Sequence, residues 1–220
     1  MSRKTVGAVF AAAVLFIPAL SASAQITAVV SETRGRVELL SPGGGWKPAA
    51  AGEVVGQGTT ISTGFNSTAV LKMGLSVVTV QQLTRMRLDQ LVEQQGKITT
   101  SFTLPIGRVQ ASVKSANGAP QNFQIRSPIS TAAVRGTQFV FDGYTLVVDE
   151  GTVAFFNQLG QMLAVQHGQS SETNGEDFPT DPNDQFGNDS GTPLPGTPGG
   201  SLGGGGQGGQ AGFGSITVTF

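Results

Sequence analysis

The feature that most limits what this chain can fold into is a two-residue apolar rhythm, carried in short runs and cut repeatedly by glycine. Ile98, Thr100, Phe102 and Leu104 alternate with polar residues until Pro105 stops the run. Val109, Ala111 and Val113 keep the same beat, as do Phe139 with Phe141 and Leu146 with Val148. Successive side chains on a β-strand point to opposite faces, so runs of this kind bury one face and leave the other in solvent. From Ile26 to about Gln169 a glycine-containing break recurs roughly every 8 to 15 residues. No stretch offers an amphipathic helix of useful length. The expected class is all-β, with about a dozen short strands in a solenoid-like or sandwich-like stack.

One run can be read two ways. Between Thr84 and Leu91 a helix would carry Leu83, Met86, Leu88 and Leu91 at mixed spacing. A strand places Met86 and Leu88 on one side and Arg85, Arg87 and Asp89 on the other, which is the cleaner pattern. Turn chemistry marks the strand ends. Asn117-Gly118 and Asp142-Gly143 are hairpin signals. Asp149-Glu150-Gly151 reads as a further turn, so Phe123 to Val153 is expected to form a tight β-meander. Gly35-Arg36-Val37, Gly107-Arg108-Val109 and Gly151-Thr152-Val153 open runs of similar character. This loose repeat tips the choice towards a solenoid, where glycine recurs at the corners.

The ends differ from the middle. Arg3 and Lys4 precede an apolar run from Val6 to Leu20, and Ala22-Ser23-Ala24 is a small-residue cleavage site. Residues 1–24 therefore read as a signal peptide, too short in its apolar part for the about 20 residues a membrane span needs. The expected mature chain is exported, periplasmic or secreted to the cell surface, with no integral span after cleavage. From Gln25 to Glu172, the expected domain at 25–172, there are 11 Lys and Arg against 9 Asp and Glu; beyond Glu172 there are none against 5. Neither segment is charged enough to point to nucleic acid. Residues 173–214 have the acidic, then Gly-rich composition of a flexible linker. Ser215–Phe220 closes as a β-run with Ile216, Val218 and Phe220 on one face, fit to pair with an open sheet edge of its own domain or of a partner.

Little in the sequence suggests catalysis. There is no cysteine and one histidine, His167, so neither disulfides nor an ordinary zinc site can be assembled. No serine sits in a nucleophile elbow, and no carboxylate pair stands apart from ordinary turn acids. Asp181, Asn183, Asp184, Asn188 and Asp189 are calcium-ligand types but miss the EF-hand spacing. Trp46 and Tyr144, each the single residue of its kind, are sugar-stacking types for which burial or a domain edge is the plainer fate. No cofactor and no catalytic residue is expected. Arg135 is the most informative side chain. Set between Val134 and Gly136 among small and apolar residues, it is expected to be partly desolvated and to tie turns together through its guanidinium.

These residues carry a resemblance. Ser127-Pro128, Ala132-Ala133, Val134-Arg135-Gly136-Thr137-x-Phe139 and Glu150-Gly151-x-Val153 resemble the signature of the FecR domain family. Gly35-x-Val37, Trp46, Gly52, Ile61-x-Thr63-Gly64-x-Asn66-Ser67 and Gly107-x-Val109 agree with it upstream, so that it covers about Val29 to Gln169. The resemblance implies an extracytoplasmic, solenoid-like β domain. In the family's transducers that domain senses an outer-membrane receptor and regulates a sigma factor. Pro128, Arg135, Gly136, Thr137, Phe139, Glu150 and Gly151 are its signature positions here, expected to serve structure ahead of ligand binding. Only Met1 to Thr5 precede the apolar run, which leaves no room for a sigma-binding region. The expectation is an exported, non-enzymatic FecR-like module acting on a protein partner, or a cell-envelope polymer. The alternatives are a surface or matrix component that self-assembles through its tail, and a component of an envelope signalling system.

Overall fold

The computed structural model describes residues 26–114 and 121–182. The expected signal peptide, the Asn117-Gly118 turn and everything from Asn183 to the Ser215–Phe220 run lie outside the described residues. In chain order the strands are β1 (Ala28–Arg34), β2 (Val37–Leu40), β3 (Trp46–Pro48), β4 (Val54–Val55), β5 (Thr60–Thr63), β6 (Thr68–Met73), β7 (Ser76–Val80) and β8 (Arg85–Gln94). They continue with β9 (Lys97–Ile106), β10 (Val109–Ser112), β11 (Gln121–Arg126), β12 (Ser130–Val134), β13 (Gln138–Phe141), β14 (Thr145–Glu150), β15 (Thr152–Asn157), β16 (Met162–Gln166) and β17 (Ser170–Glu172). No helix occurs among the described residues. The ambiguous run at Thr84–Leu91 is strand: in β8, Met86 and Leu88 are buried while Arg85 and Arg87 face solvent.

The strands form two sheets. One has eight strands in the order β17-β14-β13-β10-β7-β6-β1-β4, the other nine in the order β16-β15-β12-β11-β9-β8-β5-β2-β3. Apart from the first end of each sheet, where β4 lies outside β1 and β3 outside β2, chain order and spatial order run together, so successive strands are dealt to one layer and then the other as the stack lengthens. Neighbours are antiparallel except β9 and β11, which are parallel. The result combines the two architectures expected: the inner faces pack as in a sandwich, while the growth is quasi-one-dimensional as in a solenoid.

Alternation builds the interior. β7 reads buried, half-buried, buried along its length, and β12 repeats that pattern. The inward side chains of both sheets merge into one apolar core running from Ala28 and Val30 to Phe155 and Val165. Phenylalanines join the layers: Phe123 of β11 meets Phe139 of β13 edge-on at 6.4 Å, and Phe141 of β13 meets Phe155 of β15 at 6.2 Å. Such tilted aromatic pairs add about 0.5–1.5 kcal/mol each beyond the area they bury.

The expected meander from Phe123 to Val153 is not what forms. β11 and β12 make a hairpin in the nine-stranded sheet, β13 and β14 one in the eight-stranded sheet, and β15 and β16 one in the nine-stranded sheet again. Asp142-Gly143 turns a hairpin as expected, with Asp142 Oδ1 accepting the N–H groups of Tyr144 and Thr145 at 3.1 and 2.8 Å. Asp149-Glu150-Gly151 instead carries the chain from one sheet to the other.

The packed structure also continues past Glu172, where a linker was expected to begin. Thr173 is buried and its N–H donates to Tyr144 O, Gly175 sits against Ile129, and Asn157 Nδ2 donates to Asp177 O at 3.0 Å. Residues 173–182 thus fold back along β17, with Thr180 N–H bonded to Glu172 O.

Candidate functional site

Sheet-crossing corners position everything that follows, and they come in facing pairs. The β1–β2 corner at Gly35-Arg36 faces the β5–β6 corner, where Ser67 Oγ accepts the Arg36 N–H at 2.8 Å. The β9–β10 corner at Gly107-Arg108 faces the β7–β8 corner, where Thr84 Oγ1 accepts the Arg108 N–H at 2.9 Å and donates to the Arg108 carbonyl at 3.2 Å. Thr63 Oγ1 accepts the Thr84 N–H at 3.0 Å, so this corner is tied to the previous rung as well. The third pair is the signature itself: the β12–β13 corner Arg135-Gly136-Thr137 faces Gly151 between β14 and β15. Here a Cβ on Gly151 would lie 2.7 Å from Thr137 Cγ2. The loose repeat Gly35, Gly107 and Gly151 therefore marks one corner of each pair. Its partner is a buried hydroxyl residue, Ser67, Thr84 or Thr137. The third pair lacks the polar tie, for Thr137 Oγ1 is buried with no partner among the described residues.

The signature residues divide accordingly. Thr137 and Phe139 are buried, Gly136 and Gly151 have φ values of +76° and +85°, and Glu150 accepts a hydrogen bond from Gln138 Nε2 at 2.8 Å. Pro128 sits exposed in the β11–β12 turn, which is held by Ser127 and Ser130 hydroxyls both donating to Gly143 O. Arg135 departs from expectation. It is exposed and ties no turns together, having no hydrogen bond or ion pair among the described residues. Val134 takes the inward position at the end of β12, so the next side chain points out. Corner fixing falls to glycine and hydroxyl, not to the guanidinium.

Arg135 instead stands at the rim of a groove of about 420 Å³ on the nine-stranded sheet. Register builds its floor. Ala133 of β12 pairs with Ala154 of β15, which pairs with Ala164 of β16, so three methyl groups lie side by side across three strands. Gln124 of β11 is the next neighbour of Ala133, held by a bond from its Nε2 to Ser101 Oγ at 3.2 Å. The adjoining row consists of Asn122, Arg135, Thr152 and Gln166, and Met162 lines the far side. Small residues here leave a trough that long side chains would fill. Arg135 supplies a cation at its border.

Other candidates separate in space. Trp46 lies on the edge strand β3, 45% exposed, with the Arg85 guanidinium stacked 5.6 Å from its ring centre. Tyr144, 63% exposed, is in the β13–β14 turn of the other sheet, so the two rings form no shared platform. His167 is exposed, its Nδ1 against Asp149 O. Asp149 and Glu150 are both exposed and converge on no cleft. Asp181 is the one calcium-type candidate within the described residues, among which no group of three His, Cys, Asp or Glu is placed to hold a metal. Asp142 is electrostatically perturbed. Burial alone would raise its pKa, but the N–H groups of Thr145 and Tyr144 and the Arg108 guanidinium at 3.0 Å together hold it below the usual carboxylate value.

Comparison with known proteins adds one match to a family model. No curated protein matches the chain. Two crystal structures described as "a putative anti-sigma factor from Parabacteroides distasonis", at 1.65 and 2.50 Å, align at 18% identity and a TM-score of 0.44. The alignment covers 55% of this chain and 58% of theirs, so it spans little more than half of either protein. Residues 59–154 match the family model described as FecR protein, a stretch that begins just before β5, ends within β15 and takes in two of the three corner pairs together with Arg135.

Proposed function

We propose that this protein is an exported, non-enzymatic binding module that takes a protein partner of the cell envelope in the groove over Ala133, Ala154 and Ala164. The observation that carries this reading is the groove itself. It lies largely within the FecR-matched residues, it is floored by side chains too small to fill it, and its one cation, Arg135, is not used to hold the fold. A short apolar and acidic segment of a partner suits such a surface: side chains enter the trough and a carboxylate meets the guanidinium.

Photo-crosslinking from position 133 in the native envelope, compared with position 70 on the outer face of the other sheet, tests it. A discrete adduct from 133 that disappears in Ala154→Arg and weakens in Arg135→Ala, with thermal unfolding unchanged, supports the groove. Equal adducts from both positions, or an adduct indifferent to both substitutions, would overturn it.

The FecR match favours a second, regulatory reading, in which the module belongs to an envelope signalling system. Its test is transcriptional: deleting the gene should change the output of a sigma factor whose reporter is otherwise steady. A flat reporter leaves only the binding role. Export rests on the residues 1–24, and recovery of an intact, uncleaved chain from the cytoplasm would remove it.

A further inference from the structure

The four edge strands of the two sheets are not equally protected. β4 has two residues, too few to template another strand. β3 is Trp46-Lys47-Pro48, with a lysine and a proline on the edge, the ordinary devices that discourage pairing. β17 has three residues and the returning segment bonds along it, Thr180 N–H to Glu172 O and Thr180 Oγ1 to the same carbonyl. β16 has none of these guards. Its sequence is Met162-Leu163-Ala164-Val165-Gln166, without charge or proline, and among the described residues it pairs only with β15.

The free groups on that edge can be identified. Asn157 N–H donates to Gln161 O across the β15–β16 turn, which sets the alternation along the hairpin. Gln166 turns outward, its N–H on Gln169 Oε1 at 2.9 Å and its carbonyl accepting the Gln169 N–H at 3.0 Å. By the two-residue period Met162 and Ala164 also direct their N–H and C=O groups away from β15. The apolar layer is unfinished at the same place, since Leu163 faces the core yet is only partly buried and Leu159 beside it is 68% exposed.

We propose that Ser215–Phe220 of the same chain adds to β16 as the next strand of the nine-stranded sheet, with Ile216, Val218 and Phe220 continuing the apolar layer over Leu163. Three observations commit the edge to this occupant. The segment alternates Ser-Ile-Thr-Val-Thr-Phe, so its apolar face matches the face that β16 leaves uncovered while its polar face continues the outer surface. The described chain passes this hairpin, where Gln158 N–H bonds to Gly175 O and Asn157 Nδ2 to Asp177 O, and is last seen bonded through Thr180 to β17, the edge strand at the same end of the stack. Residues 183–214 then supply 32 residues of glycine-rich sequence punctuated by proline. By composition alone, a glycine-rich chain of that length has an expected root-mean-square reach on the order of 30 Å, which would cover a neighbouring strand and hold the segment at an effective concentration in the millimolar range. This inference does not depend on the partner groove, which it would extend along the Ala164 side.

Hydrogen exchange of the full chain, resolved at the Met162 and Ala164 amides, is the test. These amides should be protected in the intact protein at all concentrations. They should exchange about tenfold faster or more in a chain ending at Gly214 and in Val218→Asp, while the β6 and β7 amides stay unchanged. Equal exchange with and without Ser215–Phe220 overturns the proposal. Protection that rises with protein concentration alongside a dimer also overturns it, because the segment would then come from a second copy.

Discussion

Replacing Gly107 by alanine tests the corner logic at its tightest point. Gly107 has φ +103°, and a Cβ there would lie 2.4 Å from Thr84 Cα and 2.3 Å from Thr84 Oγ1. Real Cβ atoms do not approach backbone that closely, so the two facing corners must separate. Three costs then combine. A left-handed conformation costs a non-glycine residue about 1–2 kcal/mol. Opening the corners strains or breaks the Arg108 N–H bond to Thr84 Oγ1 and the Gln81 N–H bond to Arg108 O, at about 1 kcal/mol each. Displacement of β10 also loosens the packing of Val109 and Ala111, both fully buried. The expected loss is on the order of 3–5 kcal/mol, or roughly 10 °C in Tm for a domain of this size. Gly136→Ala is the internal control. Its φ of +76° is also left-handed, but a Cβ there meets nothing within 4 Å, so only the backbone term of about 1 kcal/mol should appear. Thermal and urea unfolding of both variants decide the matter. If Gly136→Ala, inside the family signature, proves as costly as Gly107→Ala, close corner approach is not what glycine serves in this stack.

The hydroxyls permit a sharper comparison. Thr84→Val removes an acceptor for the Arg108 N–H and should cost about 1–3 kcal/mol, whereas Thr137→Val removes a hydroxyl with no partner and should be neutral or slightly stabilising; equal losses in urea unfolding would refute the distinction. Arg135→Ala should change stability by no more than about 0.5 kcal/mol, since its exposed guanidinium holds nothing in the fold. A loss above about 1 kcal/mol on calorimetry would return Arg135 to a structural role. Asp142→Ala strands two backbone N–H groups and should cost about 1–2 kcal/mol near neutrality. The carboxyl's folded pKa is depressed, so its contribution is complete above the unfolded value near 3.9 and is lost as pH falls through the lower folded value. The gap in Tm between the native chain and the variant should therefore persist from pH 7 to about 5 and close in stronger acid; a gap that is constant with pH would mean the carboxylate charge is not involved.

Strand identity was legible because burial in a two-layer stack enforces the two-residue period: Met86, Leu88, Phe102, Phe139, Phe141, Leu146 and Val148 all point inward as their spacing requires. Sheet membership was not legible. Asp142-Gly143 and Glu150-Gly151 use the same turn chemistry, yet one closes a hairpin and the other changes sheets. The difference lies in what faces each turn, Ser127 for Gly143 and Thr137 for Gly151, and those contacts are long-range. The reading of Arg135 failed for a related reason. Apolar neighbours in sequence suggested an apolar surrounding, but at a strand end those neighbours face the opposite side. Thr84 went unnoticed because a hydroxyl before a strand is ordinary; only its place opposite Gly107 makes it a corner residue. The groove floor was invisible for want of register, since Ala133, Ala154 and Ala164 are far apart in sequence and adjacent only once β12, β15 and β16 are paired.

A stack of this kind constrains where a ligand can be held. The inner faces close on each other with phenylalanine, leucine and valine buried to within a few per cent, so binding has to use an outer face or an edge. The outer face of the nine-stranded sheet is not uniform along its length. Towards the β2 end it carries long charged side chains already engaged with one another, Arg87 with Asp89 at 2.6 Å, Arg36 with Glu38 at 3.0 Å and Arg85 on Trp46. Towards the β16 end the row across β12, β15 and β16 shrinks to Ala133, Ala154 and Ala164, and the cation at Arg135 is unengaged among the described residues. Paired charges satisfy each other and offer a partner little, whereas a trough beside an unengaged cation offers shape and charge together. The gradient thus assigns the two ends different work: the first rungs close the stack off, and the last rungs present it. Exchanging Ala133, Ala154 and Ala164 for lysine together would extend the closed character along the whole sheet, and should leave unfolding cooperative while abolishing the envelope crosslink from a reporter placed at Asn122.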